Sequence, residues 1–133
     1  MDERILVVDD EKPICDMLNL ALTRAGYSVV IAESAEAAVT AMKTEKCPVM
    51  FIDFSLPGMN GLDLYNTLKC EYPSIVAYLM TGYVSESARL ACDAAGFQEC
   101  LIKPVDLQTL VKAAHAAFEQ IRTAKTSAKF CSD

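Results

Sequence analysis

Five short apolar runs alternate with five segments of helical periodicity along this chain of 133 residues. The runs cover about residues 4–8, 28–32, 49–53, 75–80 and 99–102 and are rich in Val, Ile and Leu. They lack the regular apolar–polar alternation of a half-exposed strand, as expected when both faces are buried. Five consecutive βα units predict a doubly wound α/β fold around a parallel sheet.

Helix-start and helix-stop residues delimit the segments between the strands. Pro13 suits the first turn of the first helix, and Gly26 suits its end. Ser34, Ser85 and Asp106 suit the N-caps of the second, fourth and fifth helices. The second helix is expected to run to about residue 44, the third from about 61 to before 73, the fourth to 96 and the fifth to about 122. We therefore expect one domain over residues 1–123 and a polar, frayed tail over 124–133.

Composition and charge restrict the class of protein. With 53% hydrophobic residues and this length, the chain suits one compact domain. The net charge of −6 and the lack of a Lys/Arg cluster argue against a nucleic-acid partner. The apolar runs are far shorter than the roughly 20 residues of a membrane span. Because the six cysteines form no C-x-x-C pair and no signal peptide is recognisable, we expect a reduced, cytoplasmic protein without a membrane anchor.

Chemically distinctive side chains follow four of the predicted strands. Strand ends of an open α/β sheet converge at one edge, so these residues are expected to meet. They are Asp9 and Asp10, Asp53, Thr81 with Gly82, and Lys103. Adjacent carboxylates repel each other unless a hard cation is present, and Mg²⁺ prefers such oxygen ligands. An isolated Asp pair before a helix is more often an N-cap, so only the combination predicts a site for Mg²⁺ and a phosphoryl group.

Four motifs, in order and at characteristic spacing, carry a family resemblance. They are Asp9-Asp10, the D-x-x-L-P-x-M-x-G stretch at 53–61, Thr81-Gly82 and Lys103-Pro104. Over residues 3 to about 122 the chain resembles the receiver domains of bacterial two-component response regulators. The resemblance implies a flavodoxin-like (βα)5 fold with strand order 2-1-3-4-5. It also implies a phosphorylation switch supplied by a sensor histidine kinase or a histidine phosphotransfer protein.

The residues and the resemblance together suggest a role for each side chain. A strand-end aspartate can attack phosphorus and form an acyl phosphate, so Asp53 is the predicted phosphoacceptor. By resemblance, Asp10 and Asp53 bind Mg²⁺ or Mn²⁺ directly, Asp9 acts largely through water, and the carbonyl of Ser55 completes the protein ligands. Two further groups, the Thr81 hydroxyl beside Gly82 and the Lys103 ammonium, are expected to donate to phosphoryl oxygens. The resemblance also implies that the peptide between Lys103 and Pro104 is cis, a form nearly confined to X-Pro bonds.

One position departs from the family pattern. Cys100 lies three residues before the lysine, where the family usually has the Tyr or Phe that rotates inward on phosphorylation. Either Tyr83 reports the phosphorylation state instead, or the output depends on backbone shifts in the 82–86 loop, or switching is weak. Cys100 could equally be a small buried hydrophobic residue. Ser55 and Tyr83 flank the path of attacking water and are expected to tune the lifetime of the aspartyl phosphate.

Two other functions fit these residues less well than a phosphorylation switch. A Mg²⁺-dependent phosphatase with an aspartyl-phosphate intermediate usually has a second aspartate two residues after the nucleophile, where this chain has Ser55. A flavin-binding flavodoxin would need a phosphate loop after the first strand. His115 falls on the polar face of the last helix and is expected to be simply solvated. We therefore predict no enzyme activity beyond self-phosphorylation and slow autodephosphorylation.

The resemblance also suggests how such a switch would signal. The surface of helix 4, strand 5 and helix 5 would contact a downstream protein or an output domain. The chain would be a monomer or a phosphorylation-dependent dimer.

Overall fold

The computed structural model describes residues 3–82 and 85–131. Strands and helices alternate through this part of the chain. They are β1 (Arg4–Val8), α1 (Lys12–Arg24), β2 (Ser28–Ala32), α2 (Ala35–Glu45), β3 (Val49–Asp53), α3 (Gly61–Glu71), β4 (Val76–Thr81), α4 (Glu86–Ala95), β5 (Glu99–Ile102) and α5 (Leu107–Cys131). The strands form one parallel sheet of order β2-β1-β3-β4-β5. This confirms the predicted fold and strand order, and each predicted strand is correct to within one residue.

Side-chain caps fix the starts of four helices. The predicted caps Ser34, Ser85 and Asp106 each accept a hydrogen bond from the backbone N–H three residues later, at 3.0–3.1 Å. Asn60 does the same for α3, accepting from the N–H of Asp63 at 2.9 Å. A cap of this kind stabilises a helix by typically about 1 kcal/mol. At the end of α1, Gly26 adopts φ 102°, a left-handed conformation that favours glycine.

Both faces of the sheet are buried. Along β1, Ile5 and Val7 pack into a core that includes residues of α1 and α5, whereas Leu6 and Val8 pack into a core that includes residues of α2, α3 and α4. All four side chains are fully buried. Burial of such a side chain contributes roughly 1.5–3 kcal/mol, so the two-sided core explains the continuous apolar runs.

The last helix is longer than the sequence pattern predicted. We expected helical order to end near residue 122 and the chain to fray from 124, but α5 continues to Cys131. Neither Gly nor Pro interrupts residues 107–131, and Ala and Lys recur there, which favours continuation of the helix. Among the described residues, no helix combines the length and apolar character needed to cross a bilayer.

Backbone hydrogen bonds align the carboxyl ends of β3, β4 and β5. The N–H of Phe54 donates to the carbonyl of Met80 at 2.8 Å, and the N–H of Lys103 donates to the carbonyl of Thr81 at 2.8 Å. The ends of β3, β4 and β5 are therefore held at one level. This places Asp53, Thr81 and Lys103 along the same edge of the sheet.

Candidate functional site

Three carboxylates from two strand ends meet at this edge. Asp9 and Asp10 follow β1, Asp53 ends β3, and one oxygen of each lies within 4.8 Å of the others. Asp9 and Asp53 are buried, while Asp10 is exposed. Burying carboxylates is costly unless they are paired or bind a cation. The predicted acidic cluster is therefore present.

The backbone before α1 and a lysine together hold Asp9. Its Oδ1 accepts a hydrogen bond from the N–H of Glu11 at 2.9 Å, and its Oδ2 accepts one from Lys103 Nζ at 2.8 Å. Its carbonyl accepts a hydrogen bond from the thiol of Cys15 at 3.1 Å. Glu11 is the N-cap residue of α1, and its own side chain makes no capping bond. Asp9 thus orders the start of the helix and faces the acidic cluster at the same time.

Lys103 joins the carboxylates. Its Nζ lies 2.8 Å from Asp9 Oδ2, 3.2 Å from Asp53 Oδ1 and 3.4 Å from Glu11 Oε1. Burial lowers the pKa of this ammonium, but hydrogen bonds and opposite charge from Asp9 and Asp53 outweigh it, so the net shift is upward. The raised pKa keeps Lys103 positively charged beside the cluster. The peptide to Pro104 is cis, as predicted.

Asp53 lies in a setting that opposes its ionisation. Burial raises its pKa above the ordinary value, and Asp9 adds to the rise, whereas Lys103 and the N–H of Ser55 counteract it. That N–H lies 3.4 Å from Asp53 Oδ1. A divalent cation would relieve the repulsion between the acids. The positive charge of Lys103 thus offsets part of the cost of ionising Asp53.

Gly61 permits the backbone at Asp53 to pack against the start of α3. A Cβ atom at Gly61 would lie 2.5 Å from the Asp53 carbonyl oxygen, well inside van der Waals contact. The Gly61 N–H donates to the carbonyl of Phe54 at 2.8 Å. In the sequence, Gly61 is recognisable only as a member of the 53–61 motif and as a helix start. Its close approach to Asp53 could not be seen without the loop geometry.

A cavity of about 530 Å³ lies beside the site and below α4. Ser55, Thr81, Gly82 and Cys100 line it together with mostly apolar side chains. The predicted switch position therefore faces a space large enough for an aromatic side chain, which Cys100 leaves open. Tyr83, proposed from the sequence as a substitute reporter, lies outside the described residues.

Cys100 is half-buried and lies next to the fully buried Cys92 of α4. Burial raises the pKa of the Cys92 thiol to about 12, with a further contribution from the charge and hydrogen bond of Cys100. The cysteines of the described side chains are free thiols. Cys100 packs against the core that includes residues of α2, α3 and α4.

His115 differs in part from the prediction of a merely solvated side chain. It is exposed on α5, but its Nδ1 is hydrogen-bonded to the hydroxyl of Tyr27, and the two rings are in tilted contact. Tyr27 in turn stacks on Phe118. The sequence pattern placed His115 on the polar face correctly but could not reveal its partner across the fold. It lies outside the acidic cluster.

The donor set fits Mg²⁺ better than a softer metal. The clustered ligands are carboxylate oxygens, which hard divalent cations prefer, and the cluster found among the described residues contains no His or Cys. The exposed Asp10 leaves one side of the cluster open to solvent. Mg²⁺ usually retains several waters and one or two carboxylates, as such a half-open site allows.

Comparison with known proteins assigns the family. The family model described as response regulator receiver domain matches residues 5–115. A probable transcriptional regulatory protein of Mycobacterium tuberculosis, TcrX, is 31% identical over 107 residues, covering 80% of this chain and 46% of the relative. A cyclic di-GMP phosphodiesterase of Thermotoga maritima is 33% identical over 113 residues, covering 84% of this chain and 30% of the relative. The chain thus spans less than half the length of these curated relatives.

A solved structure agrees with this assignment. The receiver domain protein of Methanospirillum hungatei superposes with a TM-score of 0.84 at 29% identity, covering 92% of this chain and 99% of that one. The chain therefore belongs to the response regulator receiver domain family of two-component signalling.

Proposed function

We propose that the protein is a phosphorylation switch that accepts a phosphoryl group on Asp53 from a phosphohistidine. The observation that carries this proposal is the meeting of Asp9, Asp10 and Asp53 within 4.8 Å, with Lys103 Nζ 3.2 Å from Asp53. A carboxylate nucleophile, cation ligands and a fixed positive charge are the parts that phosphoryl transfer requires. Membership of the receiver family supports the same assignment.

The proposed reaction begins with attack of an Asp53 oxygen on phosphorus. The P–O bond forms, the P–N bond to the donor histidine breaks, and the released imidazole takes a proton from solvent. Lys103 donates to a phosphoryl oxygen and offsets its charge, while the hydroxyl of Thr81 and the backbone N–H of Gly82 donate to others. Asp10, Asp53, the Ser55 carbonyl and, through water, Asp9 would hold Mg²⁺, which would supply positive charge beside the phosphoryl group.

The proposed output surface comprises α4, β5 and α5. Three large apolar side chains on it are strongly exposed: Leu90, Ile102 and Leu107, at 62%, 55% and 40%. Leu90 and Ile102 line the same surface hollow, and contiguous exposed apolar residues often mark protein contacts. We propose that this surface binds a downstream protein or an output domain, and that phosphorylation alters it by repacking around the cavity beside Cys100. Phosphorylation-dependent dimerisation through the same surface is the alternative form of output.

A phosphatase acting on small substrates gains no support from these residues. The position two residues after Asp53 is Ser55, which is exposed and lacks the acidity of a general acid. Slow autodephosphorylation is the turnover that we expect.

The test is incubation with acetyl phosphate and Mg²⁺, followed by intact mass measurement. We expect one added phosphoryl group, lost in Asp53→Asn and in a chelator-treated sample. Addition that persists in Asp53→Asn would refute the proposed acceptor. Rapid catalytic turnover of acetyl phosphate would favour the phosphatase.

A further inference from the structure

Glu11 is a charged residue beside the site to which the proposed reaction assigns no role. It follows Asp9 and Asp10 directly, and its side chain is 59% exposed. Its Oε1 nevertheless lies 3.4 Å from Lys103 Nζ, a residue 92 positions away in sequence. The contact therefore depends on the fold rather than on chain proximity.

The ammonium of Lys103 has three N–H donors and three carboxylate partners. Two of these partners, Asp9 and Asp53, also belong to the acidic cluster that fits a divalent cation. Glu11 lies outside that cluster. A cation held by Asp53 and, through water, by Asp9 would compete with Lys103 for both carboxylates, but it would leave Glu11 available.

We infer that Glu11 is a positioning residue that retains the Lys103 ammonium at the rim of the site when the cluster of Asp9, Asp10 and Asp53 takes up a cation. This inference rests on the proposed function for the identity of the cation as Mg²⁺. Without Glu11, the ammonium keeps only the two carboxylates that the cation needs. Lys103 would then either compete with the cation or move away from the position from which it can reach a phosphoryl oxygen.

Exposure of Glu11 suits this role and limits its strength. A buried carboxylate would hold the ammonium tightly and oppose its use at the phosphoryl group. An exposed pair changes an equilibrium by up to about fivefold, which favours one position without fixing it. The long Glu side chain can follow the ammonium over a short distance.

The test compares wild type with Glu11→Gln, Glu11→Asp and Glu33→Gln. Glu33 is a matched control because it is exposed and its charge reaches Cys15, which bonds to the Asp9 carbonyl. Among ion pairs identified between described residues, none joins Glu33 to Lys103. Glu11→Asp keeps the charge but shortens the side chain by one methylene, which separates contact from net charge.

Two measurements are made at a fixed pH. Calorimetric titration gives the Kd for Mg²⁺, and ¹⁵N NMR of the Lys103 ammonium reports how restricted its motion is before and after Mg²⁺ is added. We expect Glu11→Gln to weaken Mg²⁺ binding about two- to fivefold, Glu11→Asp to have a smaller effect, and Glu33→Gln to have the smallest. On adding Mg²⁺, the ammonium should stay restricted in wild type and in Glu33→Gln but become mobile in Glu11→Gln.

Equal effects of Glu11→Gln and Glu33→Gln would overturn the inference, as would a Glu11→Asp variant identical to wild type. An ammonium that stays restricted in Mg²⁺-bound Glu11→Gln would do the same. Phosphorylation is not measured in this experiment. A protein that binds Mg²⁺ but accepts no phosphoryl group would therefore refute the proposed function and leave the role of Glu11 standing.

Discussion

Replacement of Gly61 by alanine should displace the backbone of the phosphoacceptor. The new Cβ atom would lie 2.5 Å from the Asp53 carbonyl oxygen and 3.1 Å from Ile52 Cγ2. Carbon atoms in favourable contact are separated by roughly 3.5–4.0 Å. The loop or the start of α3 must therefore move by about 1 Å, because Asp53 and Ile52 both belong to the fully buried strand β3.

The expected loss of stability follows from two opposing terms. Overpacking of this kind costs about 1–3 kcal/mol. The better helix propensity of alanine returns up to about 1 kcal/mol, so the net loss should be about 1–2 kcal/mol. For a domain of 133 residues, an unfolding entropy of about 0.28 kcal/mol/K converts this to a fall in Tm of about 4–7 °C. A shift of 1 Å in a nucleophile can also slow its reaction by up to about a hundredfold.

Thermal unfolding and the rate of phosphorylation by acetyl phosphate with Mg²⁺ measure the two effects. Gly82→Ala serves as the stability control, because a Cβ atom there would meet nothing within 4 Å. Its Tm should stay within about 1 °C of wild type. A Gly61→Ala protein with the wild-type Tm and rate would show that α3 does not press against the Asp53 carbonyl, and the reasoning would fail.

Three further predictions concern charge, cavity and capping. The pKa of Asp53 is raised in the folded protein, so its contribution to stability is present in full below the unfolded pKa of about 3.8 and is lost as pH rises through the folded value. Asp53→Asn should therefore raise Tm at pH 7–8, and this gain should shrink towards pH 4. A gain in Tm that grows on acidification would contradict this sign. Cys100→Phe should leave Tm within about 2 °C of wild type, because the ring can enter the cavity of about 530 Å³. A fall in Tm of more than about 5 °C would show that the ring cannot enter this cavity. Ser34→Ala removes the acceptor of the Ala37 N–H and should lower the free energy of unfolding, measured by urea titration, by about 1 kcal/mol. Ser34→Gly should lower it by less. Equal losses in the two variants would argue against the cap.

Local sequence signals predict the architecture because the residues that form a strand or cap a helix lie within that element or next to it. The apolar runs predicted the strands, and Ser34, Ser85 and Asp106 predicted helix starts whose capping bonds are present. The end of α5 was harder to predict, because no Gly or Pro marks it and helix propensity changes only gradually along the tail. Signals of propensity alone rarely define a helix end to within a few residues.

Contacts between distant residues explain what the sequence could not provide at the site. The convergence of Asp9, Asp53 and Lys103 was predictable, because strand ends of a parallel sheet share one edge. The contact of Lys103 with Glu11 and the bond of His115 to Tyr27 depend on side-chain reach across the fold. No spacing rule gives such distances. The only available signal for Glu11 was its position next to the acidic pair.

The edge position of β5 also affects how the protein behaves at high concentration. β5 is four residues long, and among the described strands it pairs with β4 alone, so its outer side offers few unpaired backbone groups. Exposed Glu99 begins the strand, and Pro104, which has no N–H, follows soon after its end. Short, charged edges followed by proline resist strand addition by another chain. This edge can therefore expose an apolar side chain such as Ile102 without providing a template for strand addition by another chain.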